Sequence, residues 1–166
     1  MRTWERIAFG KYAALTLPEL VVRHPSYFFW ARSERVFRAR GVRRGGEVEA
    51  KAKTIRLKNE SHLVRYEFER QGLDEWLSDV RFRSSVQSEN RWESTLDLSR
   101  GYIPGNRRLS RRGDEVLTRA FRRLANRKPL DGPFCKRFFN DDENFDAEPE
   151  AGLGSFLKLR KPIWPP

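Results

Sequence analysis

The sequence predicts an α+β fold, and three observations support this prediction. The chain has 166 residues, the length of one domain. Residues 54–99 alternate apolar and polar positions with a period of two, whereas residues 114–127 repeat their apolar positions at helical spacing. Aromatic residues make up 13% of the chain, which is enough for a core although 34% of residues are charged. We expect residues 1–140 to form one domain, with an antiparallel sheet of about four strands between an N-terminal strand-turn-helix module and a C-terminal basic amphipathic helix.

Residues 7–38 form the predicted N-terminal module, which opens with the strand-turn pattern IAFGKY. Thr16 is expected to cap a helix, because its hydroxyl can accept a hydrogen bond from a free amide of the first turn. Pro25 is expected to end that helix, since the residue before a proline avoids the helical conformation. A second helix is expected over residues 26–37.

The middle of the chain has the pattern of a β-meander. Its predicted strands cover residues 54–58, 63–69, 80–84 and 94–99. Strict alternation is typical of antiparallel strands with one solvated face, so helices should cover the other face of this sheet. Before the meander, residues 38–46 have the Arg/Gly-rich composition of a loop, and residues 47–53 either form a helix or prolong that loop.

Residues 114–127 carry the clearest helical pattern in the chain. Acidic Asp114 at the start and basic residues at the end suit the helix dipole, and Pro129 follows the end. The preceding residues 100–109 have a loop-like composition. Gly105 and Asn106 are expected to leave this backbone mobile. The apolar face of the predicted helix consists of Val116, Leu117, Ala120, Phe121 and Leu124.

Residues 141–166 are predicted to form an irregular tail, acidic at first and then apolar and basic. Six acidic residues and no basic one occupy residues 141–150. This stretch could raise solubility, bind cations, or fold back over the basic patch and compete with a polyanion.

The charge distribution favours a polyanionic partner. The net charge is +11, and residues 100–140 carry 12 basic and 3 acidic residues. Most of the basic residues are arginines, whose planar fork of donors suits phosphate. The predicted nucleic-acid-binding residues are Lys11 in the first turn and eight arginines before or along the basic helix: Arg107, Arg108, Arg111, Arg112, Arg119, Arg122, Arg123 and Arg127.

The sequence offers no recognisable catalytic, metal or cofactor motif, and we predict none of these. Because Cys135 is the single cysteine, an internal disulfide is ruled out, and a reducing, cytoplasmic compartment is favoured. Cys135 is expected to be buried. No apolar run is long enough to cross a membrane. Two carboxylate clusters, Glu47 with Glu49 and residues 141–143, lack the spacing of a metal motif, and whether either binds a metal stays open at this point.

Residues 7–31 match the pattern F-G-K-Y-x-G-x-T-L-x-E-[LIV] followed by D-P-x-[YW]-[FL]-x-W. The matching positions are Phe9, Gly10, Lys11, Tyr12, Thr16, Leu17, Glu19, Pro25, Tyr27 and Trp30. On these positions the segment resembles the small C-terminal domain of exonuclease X-like proteins and related short bacterial and phage proteins. The second glycine of the pattern is absent from this chain, where Ala13 and Ala14 occupy that turn, and His24 stands at the acidic position. The resemblance implies a nucleic-acid context and transfers no catalytic residue.

Three functional hypotheses follow from these observations. The first is a small non-enzymatic protein whose arginines contact the phosphates of DNA or RNA. The second is a protein-interaction or inhibitor module, encoded by a phage or mobile element, that binds an acidic protein. The third is a metal-dependent nuclease with an unfamiliar carboxylate site.

Overall fold

Helices and short antiparallel sheets together confirm the α+β class. A computed structural model describes residues 2–57, 63–84 and 92–146. The helices are α1 (Leu17–Arg23), α2 (Pro25–Ser33), α3 (Val36–Ala39), α4 (Gly45–Lys53), α5 (Arg107–Leu124) and α6 (Gly132–Asn140), with 3₁₀ turns at Leu98–Gly101 and Asp142–Asn144. The strands are β1 (Ile55–Arg56), β2 (Leu63–Gln71), β3 (Asp74–Arg83) and β4 (Thr95–Leu96).

A tight turn precedes α1, where the strand-turn pattern was predicted. The Ile7 amide donates to the Leu15 carbonyl at 2.8 Å, and the Ala14 amide donates to the Ile7 carbonyl at 2.8 Å. Thr16 caps α1 as predicted: its hydroxyl accepts from the Glu19 amide, and the Glu19 carboxylate accepts from the Thr16 amide, which makes a reciprocal capping box. The helix ends before Pro25, which is also as predicted.

The predicted helix over residues 26–37 is divided into α2 and α3. Arg35 lies between them in the left-handed conformation, with φ +57°, which interrupts the helical hydrogen bonds. α4 begins at Gly45, so residues 47–53 adopt the helical alternative and the predicted loop is shorter than 38–46. Val48 and Ala52 are four residues apart and fully buried, which gives α4 an apolar face to pack on the core.

The prediction of one four-stranded sheet is wrong, because the strands form two separate pairs. β1 pairs with β4, and β2 pairs with β3, both antiparallel. The two pairs lie close together: Val64 of β2 bridges Glu93, which precedes β4, and the Tyr66 hydroxyl donates to the Thr95 carbonyl. Alternation identifies a half-buried strand but not its partner, and two-residue strands are too short to extend a sheet.

β2 and β3 form a long hairpin whose second strand begins earlier than predicted. β3 starts at Asp74 rather than at residue 80, because Gly72, with φ +62°, makes a tight turn directly after β2. The register shifts beside Glu67, where the Ser78 hydroxyl donates to the Glu67 carbonyl. α5 packs against β3.

α5 begins at Arg107, well before the predicted start at residue 114. The Asn106 side chain accepts from the Leu109 amide at 3.1 Å and so caps the helix, which means that Asn106 fixes this backbone instead of loosening it. The loop predicted for residues 100–109 is therefore partly helical. At the other end, the helix stops at Leu124, and Arg127 follows in a left-handed turn.

The packed region continues beyond the boundary predicted at residue 140. Phe145 is 2% exposed and contacts the rings of Phe138 and Phe139. The Asp146 amide donates to the Thr54 carbonyl at 2.9 Å. Residues 141–146 therefore belong to the domain, because an aromatic anchor holds them to the core. The rest of the predicted tail, residues 147–166, lies outside the described residues.

No helix among residues 2–57, 63–84 and 92–146 combines the length and apolar character needed to span a membrane.

Candidate functional site

A groove with a volume of about 1320 Å³ lies between the N-terminal module and α5. One wall is formed by the first turn and by the junction of α1 and α2, and the opposite wall is α5. The loop that leads into α5, including Tyr102 and Asn106, also lines the groove. Two segments that are about 100 residues apart in the sequence, each predicted separately to contact a polyanion, therefore meet at one surface.

Six of the nine predicted binding residues line this groove. Five of them are on α5, four of which lie along one stripe of the helix, because their separations are close to whole turns. The stripe is about 21 Å long at 1.5 Å per residue. The groove-lining members of the prediction are Lys11, Arg107, Arg108, Arg111, Arg119 and Arg122.

The other three predicted arginines lie away from the groove. The Arg123 guanidinium donates to the Val80 carbonyl at 2.7 Å and lies 5.1 Å from the centre of the Phe82 ring. Arg112 lies 5.7 Å from the centre of the Trp76 ring. These two residues fix α5 on the hairpin, and Arg127 follows the end of the helix. Arginines on one helix thus have different roles, depending on the face that they occupy.

Four aromatic rings form a continuous row on the wall opposite α5. Tyr12 stacks on His24 with ring centres 4.2 Å apart, Tyr12 meets Tyr27 edge-on at 4.7 Å, and Tyr27 lies 5.4 Å from Trp30. All four residues line the groove. Trp30 is 42% exposed, although a side chain of its size usually avoids water. The row adds aromatic ring surface to the groove that the arginine stripe also lines.

The electrostatic environment of the groove is strongly positive. Its lining includes seven basic and two acidic residues. None of the arginines of α5 forms a salt bridge with a carboxylate within the described parts of the chain. Burial, together with the nearby charges of Arg23, Lys11 and Arg111, lowers the pKa of His24. Cations from three separate elements therefore converge on this imidazole.

Asp114 joins the two walls of the groove. Its carboxylate accepts from the Ser26 amide at 2.7 Å and from the Ser26 hydroxyl at 2.6 Å, so α5 caps the beginning of α2. Burial raises the pKa of Asp114 to about 6, although both hydrogen bonds favour its charged form. This contact sets the position of the Tyr27 and Trp30 helix relative to the arginine stripe.

Close backbone packing also fixes α5. Gly113 faces Gly101 so closely that a Cβ atom on Gly113 would lie 2.6 Å from the Gly101 carbonyl oxygen. The Ser110 hydroxyl accepts from the Ile103 amide at 2.8 Å and donates to the Ile103 carbonyl at 3.0 Å. These neutral contacts add to those of Asp114, Arg112 and Arg123 in fixing α5, and they occupy none of the groove-lining arginines.

The carboxylate clusters singled out in the sequence are engaged by basic residues. Glu47 contacts Arg44 at 2.8 Å, and Glu49 contacts Arg32 at 2.7 Å. Asp142 accepts from the buried Lys51 at 2.7 Å. Among the described residues, no group of three or more His, Cys, Asp and Glu side chains is placed to hold a metal ion.

The described part of the acidic stretch contacts α4 and β1 rather than the groove. Asp142 binds Lys51 and Arg2, and Asp146 binds Arg56. Cys135 is fully buried, as predicted, and burial raises the pKa of its thiol to about 12. The thiol is therefore protonated at neutral pH.

The sequence-based prediction missed the aromatic half of the groove. The sequence analysis counted the aromatic residues toward the core and assigned none of them to the binding surface. A signal was present: the buried residues of α2 include Phe28 and Phe29, whereas Tyr27 and Trp30 are three residues apart and share another face of the helix. Without the helix boundaries, the sequence does not show that Phe28 and Phe29 are buried while Tyr27 and Trp30 face the groove.

The chain matches no protein-family model, and it has no significant match among curated proteins or solved structures. The resemblance of residues 7–31 to the exonuclease X C-terminal domain therefore stays a prediction. At Ala14, the position of the second glycine in that pattern, φ is +76°, a conformation that glycine adopts without strain.

Proposed function

We propose that this protein binds nucleic acid in the groove between the N-terminal module and α5. One observation carries the proposal: a stripe of arginines that has no carboxylate partner among the described residues lines the same groove as a row of aromatic rings. Arginines bind phosphates with charge-assisted hydrogen bonds, and aromatic rings bind bases. The groove offers both kinds of group to one polymer.

The proposed binding is driven by phosphate contacts along α5. Arg108, Arg111, Arg119 and Arg122 would replace the counterions of successive phosphates, and the released ions would favour association. Like charges on one helix face repel each other in the free protein. A bound polyanion would remove this repulsion. The arginines that form salt bridges elsewhere in the molecule are already neutralised by carboxylates.

The size of the groove supports a polymer rather than a small ligand. Its volume of about 1320 Å³ exceeds the usual range of small-molecule pockets, and it is lined on both sides by cations. Lys11 and Arg23 on the aromatic side add to the attraction. Because phosphate contacts position a protein without reading sequence, we expect little dependence on base sequence.

The test is a fluorescence-anisotropy titration of short labelled DNA and RNA, single- and double-stranded, between about 50 and 200 mM salt. The variant Arg111→Ala/Arg119→Ala/Arg122→Ala removes three cations from the groove. We expect its affinity at low salt to fall by about 100-fold or more. The slope of log affinity against log salt should become shallower by about 2, which corresponds to three lost phosphate contacts.

A matched variant removes the same amount of charge elsewhere. Arg38, Arg43 and Arg137 are exposed, and none of them lines the groove. Their triple alanine variant should retain most of the affinity. Equal losses in both variants would mean that net charge alone drives binding. If the folded protein binds no nucleic acid at low salt, the proposal fails, and an acidic protein becomes the partner to seek.

A further inference from the structure

Phosphate binding alone does not account for the aromatic row. Trp30 is 42% exposed, and Tyr27 is partly exposed beside it, within reach of solvent in the groove. Leaving such rings in water has a free-energy cost that burial in the core would remove. A protein that needed only to bind phosphates would not require ring faces opposite its arginines.

We infer that the groove binds single-stranded nucleic acid, with unpaired bases stacked on Tyr27 and Trp30 and the backbone along the arginine stripe of α5. This inference rests on the proposed function and narrows its ligand. Stacking needs only the flat face of a base, so it tolerates any sequence. The two walls would therefore bind the phosphates and the base faces, which a single strand exposes together.

A duplex fits this arrangement poorly. Its bases are already stacked on one another, and both of its outer edges carry phosphates. If a duplex lay on α5, the rings of Tyr27 and Trp30 would face its sugar-phosphate backbone and gain no stacking. A single strand instead exposes phosphates and base faces together, which matches a groove that has an arginine stripe on one wall and aromatic rings on the other.

The dimensions of the groove indicate a short binding site. The stripe from Arg108 to Arg122 spans about 21 Å, which corresponds to about six phosphates of a stacked strand. Glu115 interrupts the stripe near its middle. Two aromatic side chains would accommodate two or three bases, so an oligonucleotide of about six to eight nucleotides should occupy the whole site.

The experiment compares four probes of equal length: single-stranded DNA, single-stranded RNA, a DNA duplex, and a base-free deoxyribose-phosphate chain. The base-free chain retains every phosphate but offers nothing to stack. We expect either or both of the base-containing single strands to bind at least tenfold more tightly than the duplex and the base-free chain. Which of the two strands binds more tightly identifies the preferred sugar.

Variants of Trp30 locate the stacking contact. Trp30→Ala should weaken single-strand binding by about tenfold or more and leave binding of the base-free chain unchanged, because stacking on one ring contributes a factor of this size. Trp30→Phe retains a flat ring and should recover most of the loss. Phe68→Ala is the matched control, since Phe68 is 46% exposed but lies on β2, outside the groove.

The outcomes separate this inference from the proposed function. If the base-free chain or the duplex binds as tightly as the single strands, and the Arg111/Arg119/Arg122 variant still abolishes binding, then the groove binds phosphates and the single-strand inference is wrong. The same holds if Trp30→Ala binds single strands like the unchanged protein. If no probe binds, both proposals fail together.

Discussion

Two regions of this protein are rich in charge, and they differ in whether that charge is paired. Around α4, basic and acidic residues neutralise each other: Arg44 contacts Glu47, Arg32 contacts Glu49, and Lys51 contacts Asp142. Along α5, no arginine forms a salt bridge with any carboxylate of residues 2–57, 63–84 and 92–146. Net charge is therefore a poor guide to a binding surface, and the local pairing of each cation is a better one.

The two regions also differ in what holds them in place. Ion pairs connect α4 to the N-terminus and to the acidic residues after α6. No ion pair with a carboxylate of the described residues holds α5; its contacts are the approach of Gly113 to Gly101 and hydrogen bonds of Ser110, Asp114 and Arg123. Substitutions of the paired residues around α4 should therefore reduce stability, whereas substitutions of the groove-lining arginines of α5 should reduce ligand binding.

The largest effect on stability should come from Lys51→Ala. Lys51 is 2% exposed, and its ammonium donates to the Phe139 carbonyl at 2.7 Å and to Asp142 at 2.7 Å. Its removal leaves the carbonyl unpaired in the core and separates the acidic segment from α4. We expect a loss of about 3 kcal/mol in the free energy of unfolding, measured by urea denaturation.

Lys53→Ala on the same helix is the control for this prediction. Lys53 also contacts a carboxylate four residues away, Glu49, but its side chain is 43% exposed. Its loss should change the free energy of unfolding by less than about 1 kcal/mol. Neither substitution should alter nucleic-acid affinity. If Lys51→Ala were as stable as Lys53→Ala, the paired region would not stabilise the fold through its ion pairs.

The second prediction concerns pH, because the acids of the two regions respond in opposite ways. Hydrogen bonds from Lys51 and Arg2 lower the pKa of Asp142, so its contribution to stability is present at neutral pH and lost in acid. Burial raises the pKa of Asp114 from 3.8 to about 6. The folded state therefore holds the Asp114 proton more tightly than the unfolded state does. The stability that this proton contributes is lost as pH rises from about 4 to 6.

Asp114→Asn isolates this effect. As pH rises from 4 to 7, the unchanged protein should lose up to about 2 kcal/mol of unfolding free energy relative to the variant. Denaturation curves at several pH values measure it, and the subtraction cancels the contribution of Asp142. A constant difference across this pH range would mean that burial of Asp114 does not disfavour its charge.

Local features of the fold could be predicted from the sequence, whereas the pairing of distant elements could not. Thr16 with Glu19 and the proline at residue 25 determine the ends of α1 through neighbouring atoms alone, so their pattern was sufficient. The partner of β1 depends on which two-residue strand reaches it in space. The alternation of residues 54–99 contains no information on that choice.

The candidate site shows the same division. The arginines of the site could be named from the sequence, but the stripe could not, because Arg108 and Arg111 precede the predicted helix and join its face only once α5 begins at Arg107. That Arg123 instead binds the Val80 carbonyl depends on how α5 packs against β3. The exposure of Trp30 likewise depends on the separation of the two groove walls. Sequence composition identified the helix as basic, and the packing of α5 determined which of its arginines remain available to a ligand.

The smallest predicted effect tests the turn that places Lys11 and Tyr12 in the groove. Ala14 has φ +76°, a left-handed conformation that costs an L-residue with a Cβ atom about 1–2 kcal/mol. Ala14→Gly removes this strain but adds about 0.4–1 kcal/mol of unfolded-state entropy. We therefore expect a net stabilisation of about 0.5–1 kcal/mol, seen as a higher midpoint in urea. Ala13→Gly, at a neighbour without positive φ, should instead destabilise the protein. Nucleic-acid affinity should stay unchanged in both variants, because neither alters a charged or aromatic group. A loss of affinity confined to Ala14→Gly would show that the rigid turn itself is required for binding.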